Sequence, residues 1–266
     1  MISSIKNFVK QNILKNYWNS KEKFEYFKNS VYFPKGSVIF TRAVSDGIYE
    51  HENLQLIYPL VKPGTVVFDI GSNIGLMAIP ILANTKCARL ISVEASPNNL
   101  PYLKKTNSES SQKERWTIID KAVSDKEGKI TFQMAESKDG AYDSMNNTNR
   151  TSFVNSVEID CTTIDKIWTE QGKPEVSFIK TDIEGADLLS LRGAVKCIET
   201  CKPAIIIEWD FRNFESFDLT NNDLLDFAKK VNYSIYATPN LVKISTLAEL
   251  ELHCKYTDGF ILYPNH

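Results

Sequence analysis

Two acids, each closing a short apolar run and each leading into a turn, are the first residues in this chain that could do chemistry. Asp69 ends Val66-Val67-Phe68 and runs into Gly71-Ser72-Asn73-Ile74-Gly75, while Glu94 ends Leu90-Ile91-Ser92-Val93, about twenty residues past the glycines. Short β-branched and aromatic runs of this kind read as inner strands of a parallel sheet. Glycines in the turn let a ligand approach the backbone, and the helix that follows offers unpaired N–H groups to a carboxylate or phosphate. A carboxylate at the tip of the next strand suits a bidentate grip on ribose hydroxyls, so the pair points to an adenosine-type cofactor lying across the strand ends. Farther along, Lys180, Asp182 and Glu184 alternate at and just past the end of the strand Ser177–Lys180, and so face one side. Glu208 ends the next strand, Ala204–Glu208.

These residues need a scaffold of alternating strands and helices. From Thr65 the sequence supplies a strand at Val66–Phe68, a helix from Asn73 to Asn84 that Pro80 should kink or deprive of one backbone bond, and a strand at Arg89–Val93. A helix capped by Ser96-Pro97 runs to Ser108, and a third strand covers Trp116–Ile119. Lys129–Gln133 and Val157–Cys161 are extended, and Thr163–Thr169 and Ala186–Cys201 are helical. Leu224–Lys230 is a helix, with strands at Tyr233–Ala237 and Gly259–Tyr263. Such a series argues for an α/β fold with a parallel sheet wound on both faces. Ala135–Ser152 is polar and without periodicity, a surface loop and candidate lid.

Residues 1–63 read as a helical and β-hairpin lead-in to a domain covering 64–266, with Pro63-Gly64 as punctuation. Ile2, Ile5, Val9, Ile13 and Tyr17 recur at helical spacing beside Lys6, Lys10 and Lys15. That stripe is expected to pack on the body of the protein or on a second copy, as a homodimer would allow; association with an anionic membrane surface is the alternative. Lys21–Lys28 reads as a continuing helix, and Val31–Phe40 as strand patches broken by Pro34-Lys35-Gly36.

In 266 residues, 42% hydrophobic with a net charge of −2, there is enough for a sizeable core and no polyanion signal, so nucleic acid is not an expected partner. No apolar run reaches membrane-span length, and Met1–Tyr17 lacks the continuous core of a signal peptide. Five scattered cysteines argue against a disulfide framework, and a cytoplasmic location is expected. The i,i+4 pair Cys197 and Cys201 has no nearby His or further Cys and reads as buried thiols, and no metal is expected there.

Phe68-Asp69-Ile70-Gly71-Ser72-Asn73-Ile74-Gly75, Val93-Glu94-Ala95-Ser96-Pro97, Ala122-Val123-Ser124-Asp125 and Ile179-Lys180-Thr181-Asp182-Ile183-Glu184-Gly185-Ala186-Asp187 occur in that order. The series resembles the FkbM family of S-adenosylmethionine-dependent methyltransferases over roughly Tyr49 to Glu208. Lys-Thr-Asp-Ile-Glu-Gly, leading into Leu191-Arg192-Gly193-Ala194, is its most specific part. Ser72 stands where alanine is usual and Asp187 where glutamate is usual. The resemblance implies a Rossmann-like class I methyltransferase sheet of seven strands, mostly parallel, with helices on both faces and the last strand, Gly259–Tyr263, antiparallel.

It also implies roles. Gly71, Ser72 and Gly75 would bring the backbone to the methionine end of S-adenosylmethionine, with Asp69 and Asn73 positioning its ammonium and carboxylate. Glu50 would lie near the amine, Glu94 with Ala95 would hold the ribose, and Lys121 and Ala122 would border the adenine. Methyl transfer to a hydroxyl needs an aligned acceptor and a base within hydrogen-bond reach. Asp182 is the first choice for base or acceptor orienter; Lys180 could serve only if burial depressed its pKa, and Glu208 could share the acceptor site. Asp182 and Glu208 could instead hold a divalent metal, but that needs a third oxygen ligand the sequence does not identify. Trp209, Phe211, Phe214 and Phe217 could wall the acceptor or simply pack.

The family commonly modifies glycans and secondary metabolites, so the expectation is O-methylation of a sugar, a glycan or another small molecule. A nicotinamide-dependent oxidoreductase is the competing enzyme, against which the Gly-x-x-x-Gly spacing tells. A non-catalytic binding module of the same fold is the third reading.

Overall fold

The structure, a computed structural model, describes residues 21–148 and 151–265. The helix expected over Met1–Tyr17 lies outside them. The described chain begins with a hairpin, β1 (Lys23–Tyr26) and β2 (Asn29–Tyr32), then α1 (Val38–Asp46) and α2 (His51–Ile57). Here the sequence reading of Lys21–Lys28 as helix is corrected. Phe27 and Lys28 both take positive φ, 47° and 60°, forming a two-residue turn whose twist suits a hairpin. The alternation of Phe24 and Tyr26 inward with Lys23 and Glu25 outward was the period-two signal of a strand. The stretch read as strand near Phe40 is also helical, because the Ser37 hydroxyl caps the Phe40 amide at 3.2 Å.

The core follows as β3 (Val66–Ile70), α3 (Ala78–Asn84), β4 (Arg89–Val93), α4 (Leu100–Glu109) and β5 (Trp116–Ile119). A side excursion, β6 (Ala122–Val123), β7 (Gly128–Met134) and β8 (Asn155–Thr162), precedes α5 (Ile164–Glu170) and β9 (Val176–Thr181). Then come α6 (Asp187–Arg192), α7 (Val195–Cys201), β10 (Ala204–Glu208), the short α8 (Phe211–Phe214) and α9 (Asn221–Lys230). β11 (Tyr233–Ala237), β12 (Val242–Ile244), α10 (Leu247–His253) and β13 (Gly259–Pro264) close the chain.

The main sheet has the order β12-β11-β13-β10-β9-β3-β4-β5, with β3, β4, β5, β9 and β10 mutually parallel and β13 inserted antiparallel to β10. This is the Rossmann-like methyltransferase sheet. It has eight strands and not seven, because β12 folds back on β11 at the edge. β8 does not join it: with β6 and β7 it makes a separate three-stranded sheet.

Alternation along the central strands divides the core in two. Val66, Phe68 and Ile70 face one side with Ile179, Ile205 and the helices that include Leu188 and Ile198. Val67 faces the other, with Phe178, Ile206 and the layer carrying Val31, Phe40, Leu54 and Ile79. Asp69, in register with Val67, therefore carries its carboxylate into the sheet layer, where it is fully buried.

Three helices differ from expectation for local reasons. α3 begins at Ala78, so Pro80 lies in its first turn; Ile79 and Ile81 on either side donate to the Gly75 and Met77 carbonyls, and the bond that Pro80 cannot donate is missing between them. The single helix expected over Ala186–Cys201 breaks at Gly193, where a Cβ would stand 2.2 Å from the Ser124 carbonyl oxygen. The helix expected from Ser96-Pro97 likewise starts later, at Leu100, after a turn in which the Ser96 hydroxyl accepts the Asn98 amide at 3.0 Å.

Candidate active site

The sheet reverses direction of growth between β3, which is followed outward by β4, and β9 on its other side. That switch leaves a crevice at the carboxyl ends of the strands. A cavity of about 870 Å³ fills it. Gly71, Ser72 and Asn73 line it from the β3 turn, Glu50 from the start of α2, Lys180 and Asp182 from β9, and Glu208 from β10. A narrow companion of about 60 Å³ lies toward β4, lined by Glu94, Ala95, Lys121 and Ala122. Gly71, Asn73, Ala141, Asp182 and Glu184 border both.

Two residues named from the sequence stand elsewhere. The Asp69 carboxylate is 0% exposed and lies behind the wall, accepting from Ser72 Oγ at 2.7 Å, with Lys180 Nζ 3.7 Å from its otherwise unpartnered Oδ1. Gly75 faces away: a Cβ there would meet the Trp116 ring at 2.7 Å. Gly71 borders the cavities with its backbone, but what demands glycine there is the protein itself. At φ +79° its missing Cβ leaves room for the Asp182 carbonyl oxygen, which a Cβ would approach to 1.9 Å. Glycine at this turn thus joins β3 to the end of β9 and does not merely admit a ligand.

Lys180 is the electrostatic centre. Its ammonium lies 3.2 Å from Asp182 and within reach of the Gly71 carbonyl at 3.5 Å. Burial alone would lower its pKa, yet the carboxylates of Asp182, Asp69 and Glu50 outweigh that and hold it well above the ordinary range. It is a fixed cation, and a role as general base is corrected on that ground. Glu50 is raised by burial and by Asp182, against the pull of Lys180. Glu208 is pushed well up by burial and by Asp182, Glu184, Asp187 and Asp258 around it. Asp182 sits beside the Lys180 cation with its side chain 30% exposed.

The backbone is held in uncommon conformations on this wall. Glu50, Asn73 and Glu184 have φ of 47°, 51° and 55°, a region non-glycine residues seldom occupy and one that recurs at functional sites.

Glu94 is buried at the tip of β4, its Oε2 accepting from the Asn73 amide at 2.7 Å and its Oε1 from Ala95 at 3.1 Å and Ser96 at 2.8 Å. A carboxylate has about four lone-pair sites, so three are already used. A bidentate ribose grip requires Glu94 to release one amide. Burial raises its pKa to about 7, opposed by those amides.

Sequence reasoning missed several residues that shape the site. Asp143, from the polar loop, accepts from Ser96 Oγ, from Asn98 Nδ2 at 3.0 Å and from the Ala135 amide at 2.7 Å, and Asn99 Nδ2 donates to the Gly140 carbonyl at 2.9 Å. The loop Ala135–Thr148 therefore straps across the turn that carries Glu94 and brings Ala141, Tyr142 and Thr148 to the larger cavity. Asn213 of α8 was also missed, since no motif marks it. Of the four aromatics, Trp209 and Phe214 stack at 4.2 Å inside the core, while Phe211 is 52% exposed on the cavity wall.

A family profile described as the Methyltransferase FkbM domain matches residues 69–235, the span that contains both the glycine turn and Asp182. The chain belongs to the FkbM methyltransferase family. An FkbM methyltransferase from Methylobacillus flagellatus KT shares the fold, with TM-score 0.52 and 18% identity over 80% of this chain and 47% of that one. The chain thus spans about half of that protein's length. An O-methyltransferase from Bacillus cereus in complex with SAH aligns at TM-score 0.42 and 14% identity, over 84% and 87% of the two chains. No curated protein matches at a significant level.

The FkbM chain has a donor set that fits the cofactor of such enzymes. Glu94 offers a buried carboxylate to the narrow cavity that Lys121 and Ala122 also border, Glu50 offers a carboxyl to the large one, and Asn73 reaches both. Among the described residues no group of three His, Cys, Asp or Glu is arranged to hold a metal ion, and no helix is long and apolar enough to cross a membrane.

Proposed function

We propose that this protein transfers a methyl group from S-adenosylmethionine to a hydroxyl oxygen of a sugar or glycan, with Asp182 as the base or orienter of that hydroxyl. When bound, the cofactor supplies an electrophilic methyl on positively charged sulfur. Glu94, Ala95, Lys121 and Ala122 would hold its adenosine part, and Gly71, Ser72, Asn73 and Glu50 its methionine part, with Asp69 acting from behind through Ser72 and Lys180. The observation that carries the reading is the single cavity joining the Gly71–Asn73 turn to the Asp182 carboxylate, with Lys180 fixed between β3 and β9.

In this arrangement Asp182 takes the hydroxyl proton, and the Lys180 ammonium 3.2 Å away holds its carboxylate in place. The sugar class draws support from a wall rich in carboxylates and carbonyls, beside the exposed ring of Phe211.

Two measurements test this. Intact-mass analysis of candidate glycans incubated with protein and cofactor should show a methyl increment, and none with any hydroxyl-bearing acceptor class sinks the enzyme reading. Asp182→Asn should leave SAH affinity within a few-fold and lower turnover by on the order of 10²–10⁴, the usual general-base contribution. Near-normal turnover would reduce Asp182 to a structural residue.

A further inference from the structure

The narrow cavity is walled by the ends of β3 and β4 and by the strap residues Gly140, Ala141, Asp143 and Met145. At about 60 Å³ it is well below the roughly 300 Å³ where pockets begin to take drug-sized ligands, so an adenosine enters only if a wall gives way. The strand ends are fixed in the parallel ladder that pairs Ile70 with Val93. The strap is hung chiefly on side chains, those of Ser96, Asn98 and Asn99, and it sits tightly on them: a Cβ on Gly140 would stand 2.8 Å from Asn99 Oδ1. Glu94 adds a second reason for the strap to yield. Its Oε1 takes the Ala95 and Ser96 amides, and Ser96 gives its hydroxyl to Asp143. A ribose hydroxyl that displaces the Ser96 amide disturbs the residue on which the strap hangs.

The strap continues to the other cavity. Ser144 Oγ donates to the Glu184 carbonyl at 3.2 Å, and Asn146 Nδ2 donates to the Ser216 carbonyl at 2.7 Å. Ser216 belongs to the turn that follows α8. Its hydroxyl donates to the Asn213 carbonyl at 2.7 Å, and Asn213 Nδ2 donates to the carboxyls of Glu184 at 3.0 Å and Glu208 at 3.1 Å. Those two carboxyl residues line the large cavity, with Phe211 and Glu215 of the same turn. Asp143 and Asn146 are three residues apart, a stretch that spans at most about 11 Å when extended, so little slack separates the two attachments.

We infer that the strap couples the two cavities, with Asn146 as the positioning residue that carries a displacement at the adenosine end to the α8 turn at the acceptor end. Adenosine seated against Glu94 moves the strap at Gly140 to Asp143. Asn146 then moves the Ser216 carbonyl, and through Asn213 the carboxyls that Asn213 holds. The acceptor wall takes its final shape only once the cofactor is in place, which orders binding: cofactor first, hydroxyl acceptor second. Asn146 is not among the residues that line either cavity, so it acts on both through these bonds and not by touching a ligand. Such coupling is reciprocal, and a change at the α8 turn acts back on the adenosine end.

The inference rests on the narrow cavity taking the adenosine part of the cofactor, and its test keeps the two claims apart. Hydrogen–deuterium exchange of the full chain is read by mass spectrometry with and without SAH, at saturation fixed by calorimetry. In the wild type, SAH should alter exchange by about threefold or more both in residues 135–148 and in residues 211–218, where the Asn213, Phe214 and Asp218 amides are hydrogen-bonded. In Asn146→Ala the response of 135–148 should persist and that of 211–218 should vanish, with SAH affinity within about threefold of wild type. Asn146→Asp, which keeps the shape and sets an acceptor against the Ser216 carbonyl, should behave alike and takes the first variant's place if that one does not fold. Wild-type protein that binds SAH and leaves 211–218 unchanged overturns the inference without any variant. So does a response of 211–218 that survives the substitutions, since the signal then travels by another route. Absence of SAH binding in calorimetry removes the methyltransferase reading, and the inference with it.

Discussion

Replacing Lys180 with methionine keeps most of the side-chain volume and removes the one charge that Asp69 faces. Asp69 is 0% exposed, and without Lys180 its only remaining side-chain donor is Ser72 Oγ. A carboxylate so placed escapes by taking a proton, which costs about 1.4 kcal/mol for each pH unit above its ordinary value of 3.8. Burial already raises the Asp69 carboxyl with Lys180 in place, so the cost added by the substitution at pH 7 is at most about 4 kcal/mol, the scale found when one partner of a buried pair is removed. The sign follows from linkage. A group whose folded pKa is raised contributes most below its unfolded value and loses that contribution as pH rises, so the variant should suffer most at high pH. Lys180 itself stays charged throughout the window, because its pKa is held above the lysine range. Urea unfolding of wild type and Lys180→Met should therefore differ by up to about 4 kcal/mol at pH 7, and the gap should narrow as pH falls to 5. Adding Asp69→Asn to Lys180→Met should restore most of the loss. A pH-independent deficit, or a double variant no more stable than the single one, would refute the reasoning.

Three further outcomes follow from the geometry. SAH affinity should strengthen as pH rises through about 7, where buried Glu94 ionises, and Glu94→Gln should weaken binding and flatten that dependence in calorimetry from pH 6 to 8. Gly71→Ala should destabilise the fold by at least about 2 kcal/mol in denaturant titration, since a Cβ 1.9 Å from the Asp182 carbonyl adds a backbone collision to left-handed strain of about 1–2 kcal/mol. Asp143→Ala, which frees the strap from Ser96, Asn98 and Ala135, should speed both association and release of SAH in stopped-flow and expose residues 135–148 to protease; unchanged rates would show that the strap does not gate the narrow cavity.

What the sequence made legible was whatever is encoded locally. Val66–Phe68, Arg89–Val93 and Ala204–Glu208 were readable because buried parallel strands are continuous apolar runs bounded by turns. Asp182 and Lys180 were readable together because a strand's two-residue period puts them on one side. The hairpin at Lys23–Tyr32 was lost to its high charge, although its alternation was present. β12 and α10 are short and were missed. The Asn213–Glu184 bond and the Asp143 strap join residues 29 and 47 positions apart, through contacts that exist only once the strands have ordered themselves, and no local pattern announces them. Gly71 was legible as a site for glycine, but the reason was not, because the atom that forbids a Cβ belongs to β9's end.

That contact makes the Gly71 turn and the Asp182 segment a single mechanical part. A shift of the Gly71 turn must carry the Asp182 backbone with it, since their separation leaves no slack for a methyl group. On the proposed function, the distance between methyl donor and base would be inherited from chain topology and not retuned by side chains. Diversification in such a scaffold falls to the pieces outside that joint. α8 with Phe211 and the strap with Tyr142 and Thr148 reach the same cavity from outside that joint, so changes there would alter the cavity wall while leaving the Gly71–Asp182 contact alone.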